Sequence, residues 1–310
     1  MKTVRVAVNA MATRFEFVLL GEDETLLQAA GEEALREITS LEKRLSYYSD
    51  TSELTRINRR AAYEPIPLAP DLFSLLREAE RFVKKTGGAF DPAIGPLLRC
   101  WGFVEGSGSI PDDTALEEAT AMSGFHHVHL DKNSNSVRFD HEGVEIDLGA
   151  IGKGYALDEA ARIVKGHGIT NALLHGGTST VVGIGTSYDG EPWRIGIQDG
   201  DAVLGTIELE NSSLSISARS GKFFTSGERS YTHILDPRTG HPTSEAAVSA
   251  IVSSTATRSD ALSTAALVLG SAALELHDPE TGVGVWRTAD PSSVLVLDGL
   301  PAFDRNLSWS

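Results

Sequence analysis

Four stretches, three of them glycine-punctuated, carry side chains suited to phosphate or metal chemistry. In Asp147-Leu-Gly-Ala-Ile-Gly-Lys-Gly-Tyr-Ala-Leu-Asp158 a strand end runs into a helix. Gly149, Gly152 and Gly154 let a main chain approach a ligand closely, and a helix start offers free N–H groups to an anion. Lys153 adds a positive charge there. The same residues would equally make a tight strand-to-helix turn with an exposed lysine, and the spacing matches neither a Walker loop nor the dinucleotide fingerprint. In Arg258-Ser-Asp-Ala-Leu-Ser-Thr264, Asp260 and Thr264 stand four apart and share a helix face. A carboxylate and a hydroxyl so placed can hold a hard cation, with Ser263 beside them as a further oxygen. The alternative is that Ser259 or Asp260 caps its own helix. In Thr232-His-Ile-Leu-Asp-Pro-Arg-Thr-Gly240, Pro237 and Gly240 fix a turn and His233 is a base or phosphate partner, although a single histidine is more often structural. His175-Gly-Gly-Thr-Ser179 follows an apolar strand, its glycine pair serving as a bulge or as a place where the backbone meets a ligand.

The elements that must position these residues are legible from periodicity. Val4–Val8 and Arg14–Leu20 read as strands, and Glu24–Leu45 as an amphipathic helix with Leu27, Ala30, Ala34, Ile38, Leu41 and Leu45 on one face. Asp71 is placed to cap a second helix, closed by Gly87-Gly88, after a polar connection over Tyr47–Pro67. A short helix is expected at Asp113–Met122, then strands at His127–Leu130, Ser136–Phe139 and Val144–Leu148, and a helix from about Gly154 to Lys165. Further strands are expected at Ala172–Leu174, Thr180–Ile184, Trp193–Gln198, Gly205–Leu209, Val248–Ser253, Gly282–Arg287 and Ser293–Leu297, with a helix at Arg258–Leu269. Strands in meander-like runs with occasional helices predict an α+β fold, with mixed, largely antiparallel sheets and flanking helices. A single domain over 1–310 is expected, with a helical N-terminal lobe at about 22–125 as a soft subdivision.

Composition narrows the functions. The 310 residues carry a net charge of −16, which repels phosphate backbones and anionic lipid, so a general nucleic-acid binder is excluded. The one cysteine, Cys100, allows neither an intrachain disulfide nor a cysteine-rich zinc site. The first twenty residues alternate like a strand and lack a signal-peptide core, and the apolar stretch Ala265–Leu276 is too short to span a bilayer. A cytoplasmic protein without membrane insertion is the expectation.

Together these stretches resemble the FAD:protein FMN transferase (ApbE-like) family from Met11 to Gly270. The landmarks are Met11-Ala-Thr13; Leu45-Ser-Tyr-Tyr48 with Ser52-Glu-Leu54 and Ile57-Asn58; Gly88-Ala-Phe-Asp-Pro92 with Gly95-Pro-Leu97 and Trp101-Gly-Phe103; then the four stretches above. The resemblance implies an Mg²⁺-dependent transferase that cleaves the FAD pyrophosphate, attaches FMN by a phosphoester to a Thr or Ser of an acceptor flavoprotein, and releases AMP. FAD hydrolysis and non-catalytic FAD binding are the alternatives. Carried over position by position, Asp260 and Thr264 match metal ligands, with Ser263 beside them and Ala150 contributing its carbonyl. Met11, Tyr48, Ala89, Phe90, Asp91, Asp147, Lys153 and Leu235 match FAD-contacting positions, and His233 and Asp260 carry the catalytic roles. Two departures stand out: Ser263 replaces a second Asp found in many members, and Arg219 replaces a usual Thr. The secretion signal and lipid-anchor cysteine of many members are not seen in these residues.

Overall fold

A computed structural model describes residues 1–299 other than 105, 107, 222, 228, 278 and 287–293. In chain order it runs β1 (Lys2–Ala10), β2 (Thr13–Gly21), α1 (Glu24–Leu45), α2 (Glu53–Arg60), β3 (Ile66–Pro67), α3 (Pro70–Lys85), α4 (Gly95–Cys100), α5 (Asp113–Met122), β4 (Val128–Asp131), β5 (Ser136–Phe139) and α6 (Gly152–Gly166). Then follow β6 (Asn171–Gly176), β7 (Thr180–Ile184), β8 (Trp193–Asp199), β9 (Ala202–Leu209), β10 (Ser212–Ala218), β11 (Phe223–Ser226), β12 (Arg229–Thr232), β13 (Val248–Ser253), α7 (Ala256–Leu269), β14 (Thr281–Trp286) and β15 (Val294–Asp298).

The chain divides into two compact units. One comprises Met1–Glu42, Ile151–Ala218 and the described residues from Glu245 onward; the other comprises Lys43–Ala150 and Arg219–Ser244. The first is built on an eight-stranded sheet in the order β1-β2-β6-β7-β10-β13-β14-β15, and every described pairing is antiparallel. On one face the β8–β9 hairpin covers it, with Trp193, Ile195, Ile197 and Leu209 packed against Leu214, Val248 and Trp286. On the other lies α7, buried nearly throughout although it carries Asp260 and several hydroxyls, which therefore find partners inside the protein. The fold class read from the sequence is therefore the observed one, α+β with antiparallel sheets.

β10 explains how one strand serves both faces. Leu214 and Ile216 face the β8–β9 core, while Ser213, Ser215 and Ser217 turn toward α7 and bond to Ser259, Ser263 and Thr264. The sequence Ser-Ser-Leu-Ser-Ile-Ser-Ala reads as loop because its buried half is hydroxylic, and no strand was expected there. The short hairpin β11–β12 and the helices α2 and α4 also go beyond the sequence expectations.

Some expectations need correcting. The connection Tyr47–Pro67 contains a helix, α2, capped by Ser52, whose Oγ accepts the Thr55 N–H at 2.9 Å; Leu54 and Ile57 give it a narrow buried stripe. Asp71 is not the cap residue: α3 begins at Pro70 after Ala69, which puts Asp71 inside the first turn, where its carboxylate accepts two bonds from Arg44, at 2.6 and 3.1 Å. That pairing holds its pKa below the usual carboxylate value. Val144–Leu148 is extended but joins no sheet. The N–H of Ile146 is accepted by Asn58 Oδ1, its C=O takes Asn58 Nδ2, and the Asp147 N–H goes to Pro92 O. One amide side chain thus replaces a strand partner. α7 starts at Ala256, so the run Ala256–Leu276 reaches 21 residues, long and apolar enough for a membrane by composition, although 67% of its window is buried inside the protein. The expected ends at Arg287 and Ser293 lie outside the described residues.

Asn58 generates a direct test. Asn58→Ala orphans a backbone donor and a backbone acceptor at once, at a cost of about 2–4 kcal/mol. Urea denaturation should show that loss, and Asn58→Asp, which keeps the acceptor alone, should lie between.

Candidate active site

In the first unit, the approach of α6 to α7 sets the geometry. A Cβ on Gly154 would lie 2.2 Å from the Ala256 carbonyl oxygen and 2.8 Å from Asp260 Cβ, so only glycine allows the two helices to touch. Touching, they exchange carboxylates. The Gly154 N–H donates to Asp260 Oδ2 at 2.9 Å, which serves a helix start whose own cap, Ile151, supplies no side-chain bond. In return Asp158 accepts the Ala256 and Thr257 N–H groups, each at 2.8 Å, and the Thr257 hydroxyl. Thr255 completes the start of α7 by accepting the Arg258 N–H. Neither Ser259 nor Asp260 caps its own helix, so the capping alternative is overturned. Burial pushes the Asp158 carboxyl above its ordinary pKa, and the Thr257 bonds oppose that shift.

Asp260 is 4% exposed. Its Oδ1 receives the Thr180 hydroxyl at 3.4 Å and faces Lys153 Nζ at 3.7 Å. Thr264 sits one turn further along α7 and is half-buried, its Oγ1 3.5 Å from Ser217 Oγ. Ser263 is fully buried and donates to the Asp260 carbonyl at 2.9 Å while lying 2.9 Å from Ser217 Oγ, so its hydroxyl is engaged within the protein. The structure thus brings Asp260, Lys153 and Thr264 together. Asp158 and Thr180 join this group without having been singled out: a threonine in a β-strand carries no sequence signal, and Asp158 stood only as the end of a glycine-rich stretch.

Met11 lies at the β1–β2 hairpin, where Met11 and Ala12 both hold positive φ, 50° and 58°. That is the two-residue turn whose twist suits a hairpin, at a strain cost because neither residue is glycine. The Met11 N–H donates to Glu42 Oε1 at 2.6 Å. Gly177, at φ 70°, lies against this turn: a Cβ there would fall 2.1 Å from Thr13 Oγ1. The register through Gly176 is regular, so the pair is not a bulge, and what Gly177 closely approaches is Thr13 of the chain itself. His175 pairs in register with Glu16 across β2 and β6, and burial lowers its pKa.

In the second unit, Tyr48 is 63% exposed and meets Tyr47 edge to face at 5.6 Å. Tyr47 donates to Glu145, and Arg99 Nη2 reaches both Tyr47 Oη, at 3.2 Å, and Glu145. Burial and the Glu145 carboxylate push the Tyr47 phenol far above its usual pKa; burial and the Asp147 charge raise that of Tyr48. Asp147 accepts the Gly149 N–H at 2.9 Å, shaping the turn that carries Ala150. Asp91 spends both oxygens on backbone, the Ala93 and Phe125 N–H groups, each at 2.8 Å, and is raised by burial. Ala89 and Phe90 are buried, Phe90 edge-on to Phe82, so their main chain rather than their side chains is what a ligand would meet. Leu235 packs with Leu97, Trp101 and Ala119, again as core. His233 lies edge-on to Phe103 at 6.4 Å. Behind it the Asp236–Gly240 turn is pinned by Trp101 Nε1, which donates to the Gly240 carbonyl at 2.7 Å. Arg219 donates weakly to Ser244 O at 3.5 Å, and its Nε is buried without a partner among the described residues.

The molecule is thus an α+β protein on an antiparallel sheet, with a buried carboxylate beneath the start of a glycine-lined helix. Its sequence matches the ApbE family over residues 11–285, and the chain belongs to that family. It is 32% identical to the FAD:protein FMN transferase of Treponema pallidum, over 79% of this chain and 72% of that one. To the same-named protein of Klebsiella pneumoniae it is 28% identical over 90% and 82%. Among solved structures, the ApbE protein of Thermotoga maritima superposes with a TM-score of 0.86 at 29% identity, covering 98% and 97% of the two chains. The flavin transferase ApbE of Vibrio cholerae gives 0.79 at 26%, over 92% and 94%.

Two predictions follow from the geometry of the first unit. Gly154→Ala should lower stability by about 3 kcal/mol, because the methyl meets backbone that cannot step aside; thermal unfolding measures it. His175 has a folded pKa below its unfolded value of about 6.5, so its contribution is present above that pH and lost as pH falls through the folded value. Between pH 7.5 and 5 the wild type should therefore lose more unfolding free energy than His175→Gln, and parallel losses would refute the assignment.

Proposed function

We propose that the chain is an FAD:protein FMN transferase. The observation that carries this reading is Asp260, buried at the start of α6 with Lys153 and Thr264 nearby, in a chain of the ApbE family whose relatives bear that activity in their names. In the reaction, the bond between the two phosphates of FAD breaks, the FMN phosphate joins a Thr or Ser oxygen of an acceptor protein, the hydroxyl proton is lost, and AMP leaves. Such a step is largely positioning plus neutralisation of phosphate charge.

The donors fit a hard cation: Asp260 offers a carboxylate and Thr264 a hydroxyl on one helix face, both oxygen ligands of the kind Mg²⁺ takes. Bound there, Mg²⁺ would neutralise phosphate oxygens. Lys153, now 3.7 Å from Asp260, would help hold the anion, and Arg219 has a guanidinium with donors to spare for a phosphate. Tyr48 presents an exposed aromatic face for a flat ring. The resemblance gives Ala89, Phe90, Asp91 and Asp147 to FAD contact and His233 to a phosphate-proximal role. With a single carboxylate, the protein alone should hold Mg²⁺ weakly, and FAD should strengthen it by adding its own phosphate charge.

The test is to incubate the protein with FAD, Mg²⁺ and an acceptor from a flavin-carrying redox complex, following acceptor mass and free flavin. A mass gain of one FMN supports transfer, free FMN alone indicates hydrolysis, and unchanged FAD overturns the reading. Asp260→Asn keeps an acceptor for the Gly154 N–H and should retain the circular dichroism of the wild type while losing transfer by at least a hundredfold, on the order of a lost charge contact to the cation.

A further inference from the structure

Behind Asp260 the first unit buries a line of hydroxyls that the reaction itself does not use. Ser215 Oγ lies 3.2 Å from Thr180 Oγ1 and 3.0 Å from Ser259 Oγ, and Thr180 Oγ1 lies 3.4 Å from Asp260 Oδ1. Thr180, Ser215 and Ser259 have no exposed surface, and Asp260 has 4%. The order of the protons follows from the donor inventory, since each hydroxyl has a single hydrogen and a carboxylate has none. Asp260 only accepts, so Thr180 donates to it. Ser215 must then donate to Thr180, while Ser259 spends its hydrogen on the Ala256 carbonyl at 3.2 Å. The Thr180 and Ser215 dipoles both point toward the carboxylate. Such an aligned run polarises its members and strengthens the final bond, which lies in surroundings where water does not compete.

We infer that Thr180 is a positioning residue for Asp260. Together with the Gly154 N–H on the other oxygen, it fixes the carboxylate's rotation and supports its negative charge, so that the group stands ready for a hard divalent cation. The inference rests on the proposed function for the role of Asp260. The physical need is plain: a carboxylate this deep loses most of its hydration, and each charge-assisted hydrogen bond returns part of that loss. Lys153 faces the same oxygen from 3.7 Å, an ion pair rather than a close hydrogen bond, so Thr180 is the nearer donor to Oδ1.

Mn²⁺ titrations at saturating FAD, followed by the electron paramagnetic resonance of the free ion, separate this role from mere packing. Thr180→Val keeps the side-chain shape and removes the donor, and should weaken Mn²⁺ about tenfold, as for one hydrogen bond to a charged group. Thr180→Ser restores the donor and should bind within about twofold of wild type. Ser215→Ala breaks the line one hydroxyl back and should weaken Mn²⁺ by about threefold; it carries the test if Thr180→Val fails to fold. Asp260→Asn is the control and should abolish binding. If Asp260→Asn loses Mn²⁺ while Thr180→Val and Ser215→Ala bind like wild type, the inference is overturned and the proposed function stands. If Asp260→Asn binds Mn²⁺ like wild type, or wild type binds none, both fall.

Discussion

The contact of α6 with α7 at Gly154 is the constraint from which the candidate site follows. A helix start leaves backbone donors with no partner inside its own helix, and burying such an end without acceptors is costly. Here the two buried starts solve the problem for each other: Asp260 of α7 serves α6, and Asp158 of α6 serves α7. Both carboxylates also sit at the positive ends of helix dipoles, each such placement contributing about 0.3–2 kcal/mol. The exchange works only at van der Waals separation, and the absence of a side chain at 154 provides that separation.

This arrangement leaves the Asp260 carboxylate nearly inaccessible, which has consequences for its surroundings. An apolar strand beneath it would leave a desolvated anion. β10 and β7 instead offer Ser215 and Thr180, and α7 returns Ser259 and Ser263, so that the sheet-to-helix interface at this point is a seam of hydroxyls. Ser249 continues it by donating to the Ser263 carbonyl at 2.6 Å. The opposite face of the same sheet is an ordinary apolar core with Trp193, Leu214 and Trp286. One sheet thus divides its labour by the two-residue period of its strands.

Most elements were legible because their periodicity reports a single apolar face. α1, α5 and β5 were readable at or near their observed limits for that reason, and β7 and β13, buried along their whole length, were readable as short apolar runs. Two of the failures share a physical cause, burial satisfied by polar groups, and the third is a matter of length. β10 buries serines, Val144–Leu148 bonds to the side chain of Asn58, and α2 is too short to show more than Leu54 and Ile57. At the site, Asp260, Thr264 and Lys153 could be named from spacing and from the family resemblance. Thr180 and Asp158 could not be assigned roles that way, since their partners lie about eighty and one hundred residues further along the chain. Ser263 shows the opposite limit: its position next to Asp260 suggested a ligand, but its hydroxyl points to Ser217 and to its own helix.

In the second unit the same logic applies to an aromatic ring. An exposed tyrosine normally samples several rotamers, and stacking a ligand on it then costs the entropy of fixing it. Tyr48 rests edge-on against Tyr47, and Tyr47 is itself held by Glu145 and Arg99. Because its phenol is buried against a carboxylate, Tyr47 stays protonated across the whole physiological range and remains a donor to Glu145. Arg99 closes the group by donating to both, so the prop under Tyr48 has no free member to rotate away. The exposed ring is therefore a supported surface, and for the stacking role proposed for it, that order would come from folding rather than from the ligand.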